Sequence, residues 1–323
     1  MNFFDEYELF HAYYNLDGGK RLFIDKRIDI CRFCGKNSST TKFDKSSHAL
    51  PESLGNKILF SLCECRECNT KFGEAFEDSF GKFVLPFKVI SQIYGKKNTI
   101  HYKDKETNSE LLMKKNSTFL SDGIHNIHTI IMDNSNSTII NTNKSGFTMT
   151  IKRQPYVPQF VYYTLLKIGY GIIPQTDCLE FVKSSLELGC IVRNMKILKN
   201  TANLSQYVQQ GFLEFVPGTP SFTTSCYIYK KKKSSKIDLV NYFFVVTFGN
   251  FSLQIALPTD EERQSNIRKT AIPIKHYENS IIDIQDFNTI QNEYSCNFEA
   301  NIEHISDLNY VDSILRENNL IKN

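Results

Sequence analysis

The residues best suited to chemistry begin with four cysteines in two identical short patterns. Each pattern places two thiols three positions apart, so a tight turn can direct both sulfurs to one side. Two such pairs can supply the four thiolate ligands of a tetrahedral zinc ion, which replaces the hydrophobic core that so short a segment cannot build. The predicted zinc ligands are Cys31, Cys34, Cys65 and Cys68. Cys63 lies outside this spacing, and we interpret it as a bystander.

Polar residues lie between the two cysteine pairs and directly after them, in a defined order. His48 is followed by Asn56, and Asn69 comes directly after the last cysteine. This order of histidine, asparagine, Cys-x-x-Cys and asparagine resembles the HNH (ββα-metal) endonuclease family, in the branch with two zinc-binding Cys-x-x-Cys pairs. The combination is specific, although each piece alone is a weak signal. The resemblance covers roughly residues 28–85.

The resemblance implies a set of catalytic roles. His48 would be the general base, Asn56 would hold the loop that orients it, and Asn69 would bind or orient a catalytic Mg²⁺ or Mn²⁺. Many relatives carry an aspartate directly before the histidine as a second metal ligand, and here that position is Ser47. Glu52 is the nearest carboxylate that could replace this aspartate as a metal ligand. The alternative interpretation is that Glu52 is a surface carboxylate or starts a helix. A structural role in a turn is likewise the alternative for Asn56. Further carboxylate candidates on the predicted helix are Glu77 and Asp78.

The two metals would have different tasks. Phosphodiester hydrolysis needs an activated water, neutralisation of charge on the phosphate and help for the leaving oxygen. A neutral imidazole can accept the proton of the water, and a hard divalent cation can stabilise the phosphate oxygens. Zinc with four thiolate ligands has no open coordination position, so we expect it to be structural.

Three predicted elements would position these residues. Residues 43–50 would form a strand that presents His48, and residues 58–62 would form the return strand. Residues 69–80 would form a helix, in which Phe72, Phe76 and Phe80 recur at helical spacing and form one apolar stripe. We interpret this stripe as core.

The predicted fold class is α+β, with a small zinc-stapled ββα-metal module followed by a larger, β-rich α+β domain. We place the module at residues 1–95 and the second domain at residues 96–323, with Pro86 and a turn from Gly95 marking the boundary. Period-two patterns predict strands in the second domain, and helical periodicity predicts helices elsewhere. The predicted strands cover residues 125–133, 138–141, 147–153, 226–229, 240–248 and 251–257. The predicted helices cover residues 7–14, 160–168, 177–188 and 307–318, the third opening on a capping box of Asp177 and Glu180.

Composition bounds the class of protein. The chain has 323 residues and a formal net charge of +3, so bulk positive charge does not drive binding to nucleic acid. No signal peptide and no apolar run of about 20 residues is present, and we expect a cytoplasmic, reducing location. Accordingly, we expect the remaining cysteines, Cys178, Cys190, Cys226 and Cys296, to be buried reduced thiols.

A run of lysines lies between two predicted strands of the second domain. It is either a solvated hairpin tip or a loop that grips phosphates along a duplex. Its members are Lys230, Lys231, Lys232 and Lys233.

Two main hypotheses follow for the function. The first is a metal-dependent endonuclease that acts on DNA, a bacterial restriction or anti-phage defence effector whose later residues recognise substrate, a partner protein or an activating ligand. The second is a non-catalytic zinc-knuckle module that binds nucleic acid or protein. An RNA-directed nuclease is a variant of the first that the sequence does not separate, and an oligomer is left open.

Overall fold

The computed structural model describes residues 2–25, 30–43, 47–91, 93, 101–103, 110–120, 123–132, 138–143, 146–194, 210–217, 221–265, 269–291 and 293–299. Helices and strands are mixed along the chain, which confirms the α+β class. The described helices do not reach the length and apolar character needed to cross a bilayer.

Fourteen strands are described. They are β1 Tyr7–Tyr13, β2 Leu22–Phe23, β3 Leu59–Phe60, β4 His101–Lys103, β5 Glu110–Leu120, β6 Gly123–Met132, β7 Thr138–Asn143, β8 Gly146–Lys152, β9 Gln210–Phe215, β10 Phe222–Lys231, β11 Tyr242–Gly249, β12 Phe251–Ala256, β13 Ile281–Asp286 and β14 Glu293–Glu299. The predicted strands after residue 120 are confirmed.

The α-helices are α1 Phe3–Glu6, α2 Arg66–Phe72, α3 Asp78–Ile90, α4 Pro158–Ile172, α5 Val182–Arg193 and α6 Asp260–Ser265. A π-helical turn, Gly73–Glu77, joins α2 to α3. Short 3₁₀ turns are Glu52–Leu54, Gln175–Asp177 and Leu179–Phe181.

The largest sheet has six strands in the order β1-β10-β11-β12-β9-β13, and every neighbouring pair is antiparallel. All eight residues of β11 are buried. Alternate side chains of this strand belong to two different apolar clusters: Phe244 and Val246 to one, Phe243 and Val245 to the other. Both faces of the sheet centre are therefore covered, as the period-two geometry of a strand requires. Smaller sheets have the orders β14-β8-β7, β4-β5-β6 and β2-β3.

Helices α3 and α4 cover one face of the large sheet. Phe87 of α3 lies 4.8 Å from Phe251 of β12 between ring centroids, and Phe83 lies 6.0 Å from Phe287, which follows β13. Gly169 of α4 permits close approach, because a Cβ there would lie 2.8 Å from a methyl group of Leu257. The helix that continues the zinc-binding segment is thus part of the same core as the later sheet.

The predicted helix at residues 7–14 is wrong, because this segment is strand β1. It pairs with β10 and forms an edge of the six-stranded sheet. Tyr7 is buried, stacks on Phe3 at 4.5 Å between ring centroids, and donates its hydroxyl to the carbonyl of Val240. Pairing and burial of aromatic side chains, which favour strands, outweigh the local helical pattern.

Pro86, which we take as one mark of the boundary between the two domains, lies inside α3, which continues through it to Ile90. A proline inside a helix removes one backbone hydrogen bond and costs about 3 kcal/mol. Burial of the α3 face against the sheet, including Pro86 itself, offsets this cost. The predicted turn from Gly95 lies outside the described residues, as does the predicted helix at 307–318.

The predicted capping box at Asp177 and Glu180 does not start α5. Two 3₁₀ turns occupy this stretch, and the helix begins at Val182. The carboxylate of Asp260 caps it from another element, since it accepts hydrogen bonds from the backbone N–H groups of Lys183 at 2.9 Å and Ser184 at 2.7 Å. A long-range carboxylate thus replaces the local cap.

The free cysteines outside the predicted zinc site differ in their surroundings. Cys178 and Cys226 are buried, as expected, whereas Cys190 is exposed on α5 and the prediction for it is wrong. The side chain of Cys296 lies outside the described residues.

The division of the chain at residue 95 stays a prediction, although β1 pairs with a strand of the later part. We expect a fragment of residues 1–95 not to fold alone, because Phe83 and Phe87 would lose their aromatic partners and expose the α3 face. A poorly dispersed amide NMR spectrum with zinc added, next to a dispersed spectrum of the full chain, is the expected result. A dispersed fragment spectrum with equimolar bound zinc would contradict it.

Candidate active site and zinc centre

The four predicted zinc ligands converge. Ligand atoms of Cys31, Cys34, Cys65 and Cys68 all lie within 4.8 Å of one another, and the sulfurs of Cys34 and Cys65 are 3.8 Å apart. A tetrahedral zinc with Zn–S bonds of about 2.3 Å separates its sulfurs by about 3.8 Å. The cluster can therefore hold zinc as a closed four-thiolate centre.

Local backbone bonds shape both cysteine pairs. Gly35 adopts a φ of +69°, and its N–H donates to the carbonyl of Cys31 at 2.8 Å, which closes the first turn. The second pair lies at the start of α2, where the N–H of Cys68 points to the sulfur of Cys65 at 3.5 Å. Helix N-termini stabilise negative charge, so this position suits a thiolate.

The hydrogen bond between Cys68 and Cys31 lowers the pKa of the Cys31 thiol and raises that of Cys68. For Cys31 this bond is the largest cause, and the backbone N–H groups of Cys65 and Phe33 add to it against the opposing effect of burial. A thiolate is the form that binds metal. The interpretation of Cys63 as a bystander agrees with its geometry, since its sulfur lies 2.9 Å from Ser61 Oγ and burial raises its pKa.

A cation that the sequence did not indicate lies beside the zinc site. Arg193, in the last turn of α5, donates to the carbonyl of Phe33 at 2.9 Å and reaches the sulfur of Cys68 at 3.9 Å. Gly189 of the same helix allows this approach, because a Cβ there would collide with the carbonyl of Phe33. The positive charge of Arg193 reduces the negative charge that four thiolates bring to the site.

The two helical carboxylates considered as metal ligands are engaged in ion pairs. Glu77 lies 3.2 Å from Lys167 of α4, which also pairs with the buried Glu64 at 3.3 Å. Burial opposes the charge of Lys167, but Glu64 and Glu77 raise its pKa, so it stays protonated. Asp78 pairs with Lys82 at 2.7 Å.

His48 lies on a short antiparallel ribbon that precedes α2. It forms an isolated bridge with Phe60, and the N–H of Ser61 donates to the carbonyl of Ser47 at 2.8 Å. The imidazole is partly buried, and its centroid lies 4.6 Å from the ring of Phe60. The predicted strand at residues 43–50 is wrong, because the described residues there form only isolated bridges, at Phe43 and His48. The predicted return strand at residues 58–62 is shortened to the two residues of β3.

Asn56 is fully buried and holds the loop between the two ribbon arms. Its Nδ2 donates to the carbonyls of Leu50 at 2.7 Å and Leu59 at 3.0 Å, and its Oδ1 accepts from the N–H groups of Ile58 and Leu59. Nδ2 also lies 3.4 Å from Nδ1 of His48, a longer and weaker contact. The carboxamide thus bonds mainly to the backbone, which favours a structural role.

The remaining candidate ligands lie on three different elements. Ser47 is buried, and its Oγ has no hydrogen-bond partner among the residues that the structure describes. Glu52 is the first residue of a 3₁₀ turn, and Asn69 is partly buried in the first half of α2. The catalytic roles of His48, Asn56 and Asn69 and the ligand role of Glu52 stay predictions.

A cationic and aromatic surface next to His48 was not indicated by any motif. The guanidinium of Arg21 lies 5.2 Å from the ring centroid of Phe60, the ring that the His48 imidazole also contacts. Phe23, on β2, is 44% exposed and lies 5.8 Å from Phe60. Only the parallel pairing of β2 with β3 brings Arg21 to this place, so sequence spacing could not reveal it.

The lysine run lies at the end of β10, where several side chains bind the protein itself. Lys230 pairs with Glu180 at 3.3 Å, Lys231 donates to the carbonyl of Ile237, and Lys232 donates to the carbonyl of Phe4. These bonds favour a structural hairpin end. Contact of the run with nucleic acid stays a prediction, with Lys233 exposed at the tip.

Together, a cluster of four cysteines that can hold zinc and a bridged segment carrying His48 that precedes α2 occur in the order that the ββα resemblance implies. A family model described as HNH endonuclease matches residues 31–85, from the first zinc ligand into α3. The resemblance is thereby confirmed for this segment, and it indicates a nuclease-type hydrolase with a nucleic-acid substrate. A search of curated proteins and a search of solved structures found no match.

Replacing a zinc ligand should unfold the ribbon. We expect Cys65→Ser to release zinc and to lower the melting temperature by more than about 5 °C, since a structural zinc contributes directly to folding. Zinc content by elemental analysis and thermal unfolding measure the effect. Cys190→Ser is the matched control, because Cys190 is exposed and outside the cluster. Retained zinc in Cys65→Ser would contradict the ligand assignment.

Proposed function

We propose that this protein is a metal-dependent endonuclease that hydrolyses phosphodiester bonds in DNA. The observation that carries the proposal is the position of His48, on a hydrogen-bonded ribbon inside the segment that matches the HNH endonuclease family. A bacterial restriction or anti-phage defence role and a cytoplasmic location are part of the proposal. They rest on the resemblance, which suggests that such modules accompany a second unit for recognition.

His48 would accept the proton of the attacking water. Its ring is partly buried against Phe60 and next to Asn56, so its orientation is restricted before substrate binds. Asn56 supports this orientation indirectly, through bonds to both arms of the ribbon. A positioned base of this kind contributes about 10²–10⁴-fold to rate.

Three oxygen donors of the matched segment suit a hard divalent cation. The buried hydroxyl of Ser47 has no partner among the described residues, and Asn69 and Glu52 offer a carboxamide and a carboxylate. These residues would hold Mg²⁺ or Mn²⁺, which, when bound, supplies charge stabilisation for the phosphate and the leaving oxygen. The zinc centre would have no chemical part, because its four thiolates leave no open position.

Arg21 would bind a phosphate beside the scissile bond. It is exposed, and no carboxylate pairs with it among the residues that the structure describes. It contacts Phe60, the ring that the proposed base His48 also contacts. A guanidinium in this position neutralises phosphate and sets the register of the backbone without reading sequence.

A non-catalytic zinc-knuckle module is the second candidate. Ser47 favours it, because relatives with a carboxylate at this position have a stronger metal ligand. In that case, the same ribbon and Arg21 would bind nucleic acid or a partner protein without cleavage. A cleavage assay that contains both DNA and RNA distinguishes a DNA-directed nuclease from an RNA-directed one.

Cleavage by the wild type and its loss in His48→Ala test the proposed base. With Mg²⁺ or Mn²⁺, we expect the variant to cleave plasmid DNA at least about 100-fold more slowly, while its zinc content and melting temperature stay at wild-type values. His11→Ala is the matched control, because His11 lies on β1 and contacts Asp177 instead. Unchanged cleavage by His48→Ala would remove the mechanism, and an inert wild type that binds DNA would favour the non-catalytic module.

Salt dependence of binding tests Arg21. In a His48→Ala background, which separates binding from cleavage, Arg21→Gln should weaken affinity for a DNA duplex. It should also reduce the slope of log K against log salt by about 0.9, the value for one lost phosphate contact. The double variant Lys233→Gln, Lys236→Gln is the comparison, because both lysines are exposed at the hairpin end. A smaller slope in the lysine variant, with no change for Arg21→Gln, would place the phosphate contact at the hairpin instead.

A further inference from the structure

The loop that carries Asn56 contacts the large sheet directly, at Thr224 of β10. Thr224 is buried, and its Oγ1 donates to the carbonyl of Leu54 at 2.7 Å. The backbone of Thr224 takes part as well, because its carbonyl accepts from the N–H of Leu16 at 2.8 Å. The carbonyl of Leu16 in turn accepts from the N–H of Lys57 at 2.6 Å. Both ends of the segment 54–57 are therefore bonded to one position of the sheet.

The fit between this loop and Thr224 is close. Gly55 adopts a φ of +97°, in the left-handed region that favours glycine. A Cβ at Gly55 would lie 2.6 Å from Oγ1 of Thr224, so no other residue fits without displacing the threonine. The hydroxyl thus occupies the space next to the residue that directly precedes Asn56.

A β-bulge directs Thr224 to the loop. Between Phe222 and Ser225, β10 advances by one residue more than β11, since Phe222 pairs with Gly249 and Ser225 pairs with Thr247. Bulges bend a strand and redirect its side chains, and they are frequent next to active sites. The irregularity lies at Thr223 and Thr224, where the first is exposed and the second is buried against Leu54.

We propose that Thr224 is a positioning residue for the proposed nuclease site, through which the sheet fixes the loop that orients His48. This inference rests on the proposed function. The path consists of consecutive contacts: Thr224 holds Leu54, Leu54 and Gly55 place Asn56, and Asn56 bonds to Leu50 and Leu59 on the two sides of the His48 ribbon. Thr224 touches neither the substrate nor His48 in this arrangement.

Two variants isolate the hydroxyl from the shape of the side chain. Thr224→Val keeps the β-branched shape but removes the donor, whereas Thr224→Ser keeps the donor. Thr223→Val makes the same chemical change one position earlier in the same bulge, and the Oγ1 of Thr223 lies 3.3 Å from Ser225 Oγ rather than at the loop. The three variants thus separate loss of the Leu54 bond from a general effect on β10.

The experiment combines hydrogen exchange with steady-state cleavage. For Thr224→Val we expect amides of residues 49–60 to exchange about tenfold faster, because one buried hydrogen bond to the loop is lost. We also expect kcat to fall about tenfold with KM unchanged. Thr224→Ser should restore both values, and Thr223→Val should match the wild type in both.

Several results would overturn the proposal. The first is amide exchange at the wild-type rate in Thr224→Val, and the second is faster exchange in that variant with an unchanged kcat. The third is a Thr224→Ser variant with the same exchange rate and kcat as Thr224→Val. The fourth is a Thr223→Val variant in which exchange and kcat change as much as in Thr224→Val. Exchange is measured without substrate, so it still decides whether Thr224 holds the loop if the wild type cleaves nothing. A wild type that cleaves no nucleic acid would therefore count against the proposed nuclease function. Amide exchange in Thr224→Val that is no faster than in the wild type would count against the positioning role.

Discussion

Burial of one face of the six-stranded sheet by α3 and α4 is the interaction on which the rest of the structure depends. The zinc-binding segment has little regular structure before α2, and its ribbon is held by isolated bridges rather than by long strands. Zinc can fix four points of this segment, but its helix finds most of its apolar partners in the later chain, as the contact of Phe87 with Phe251 illustrates. A metal held by the four cysteines and the shared core would therefore have complementary roles: the metal would close the loops, and the core sets the direction of the helix that follows them.

Buried charged side chains lie in oppositely charged groups where α4 and α5 pack against the segment that carries the four cysteines. Lys167 lies between Glu64 and Glu77, so that a cation inside the core has two carboxylates as partners. Such a group adds little net stability, because desolvation offsets most of the attraction, but breaking it leaves an unpaired buried charge. It therefore favours one register of α4 against the zinc-binding segment. Arg193 has a similar effect at the thiolate cluster, where it joins α5 to Cys68.

The candidate site and the later part of the chain are joined by hydrogen bonds. A catalytic site needs side chains held to within a fraction of an ångström, and short irregular segments do not supply this rigidity on their own. Here a threonine of the sheet bonds to the loop, and Ser91 at the end of α3 donates and accepts at the β11–β12 turn through Asn250. The later part of the chain thus contributes to the geometry of the ribbon, whatever else it recognises.

The sequence by itself identified four cysteines that converge on one site and the endonuclease family whose model matches residues 31–85. The phenylalanine stripe identified the core face of the helix. The sequence also identified three of the six strands of the large sheet, β10, β11 and β12, because their period-two patterns are local. Only the tertiary structure decided that residues 7–13 are a strand, that α3 passes Pro86, and that Asp260 caps α5. It alone brought Arg21 to Phe60, the ring that His48 also contacts, and Thr224 to Leu54. Ligand spacing and periodicity are properties of neighbouring residues, whereas these other features depend on energies supplied by partners far away in the chain.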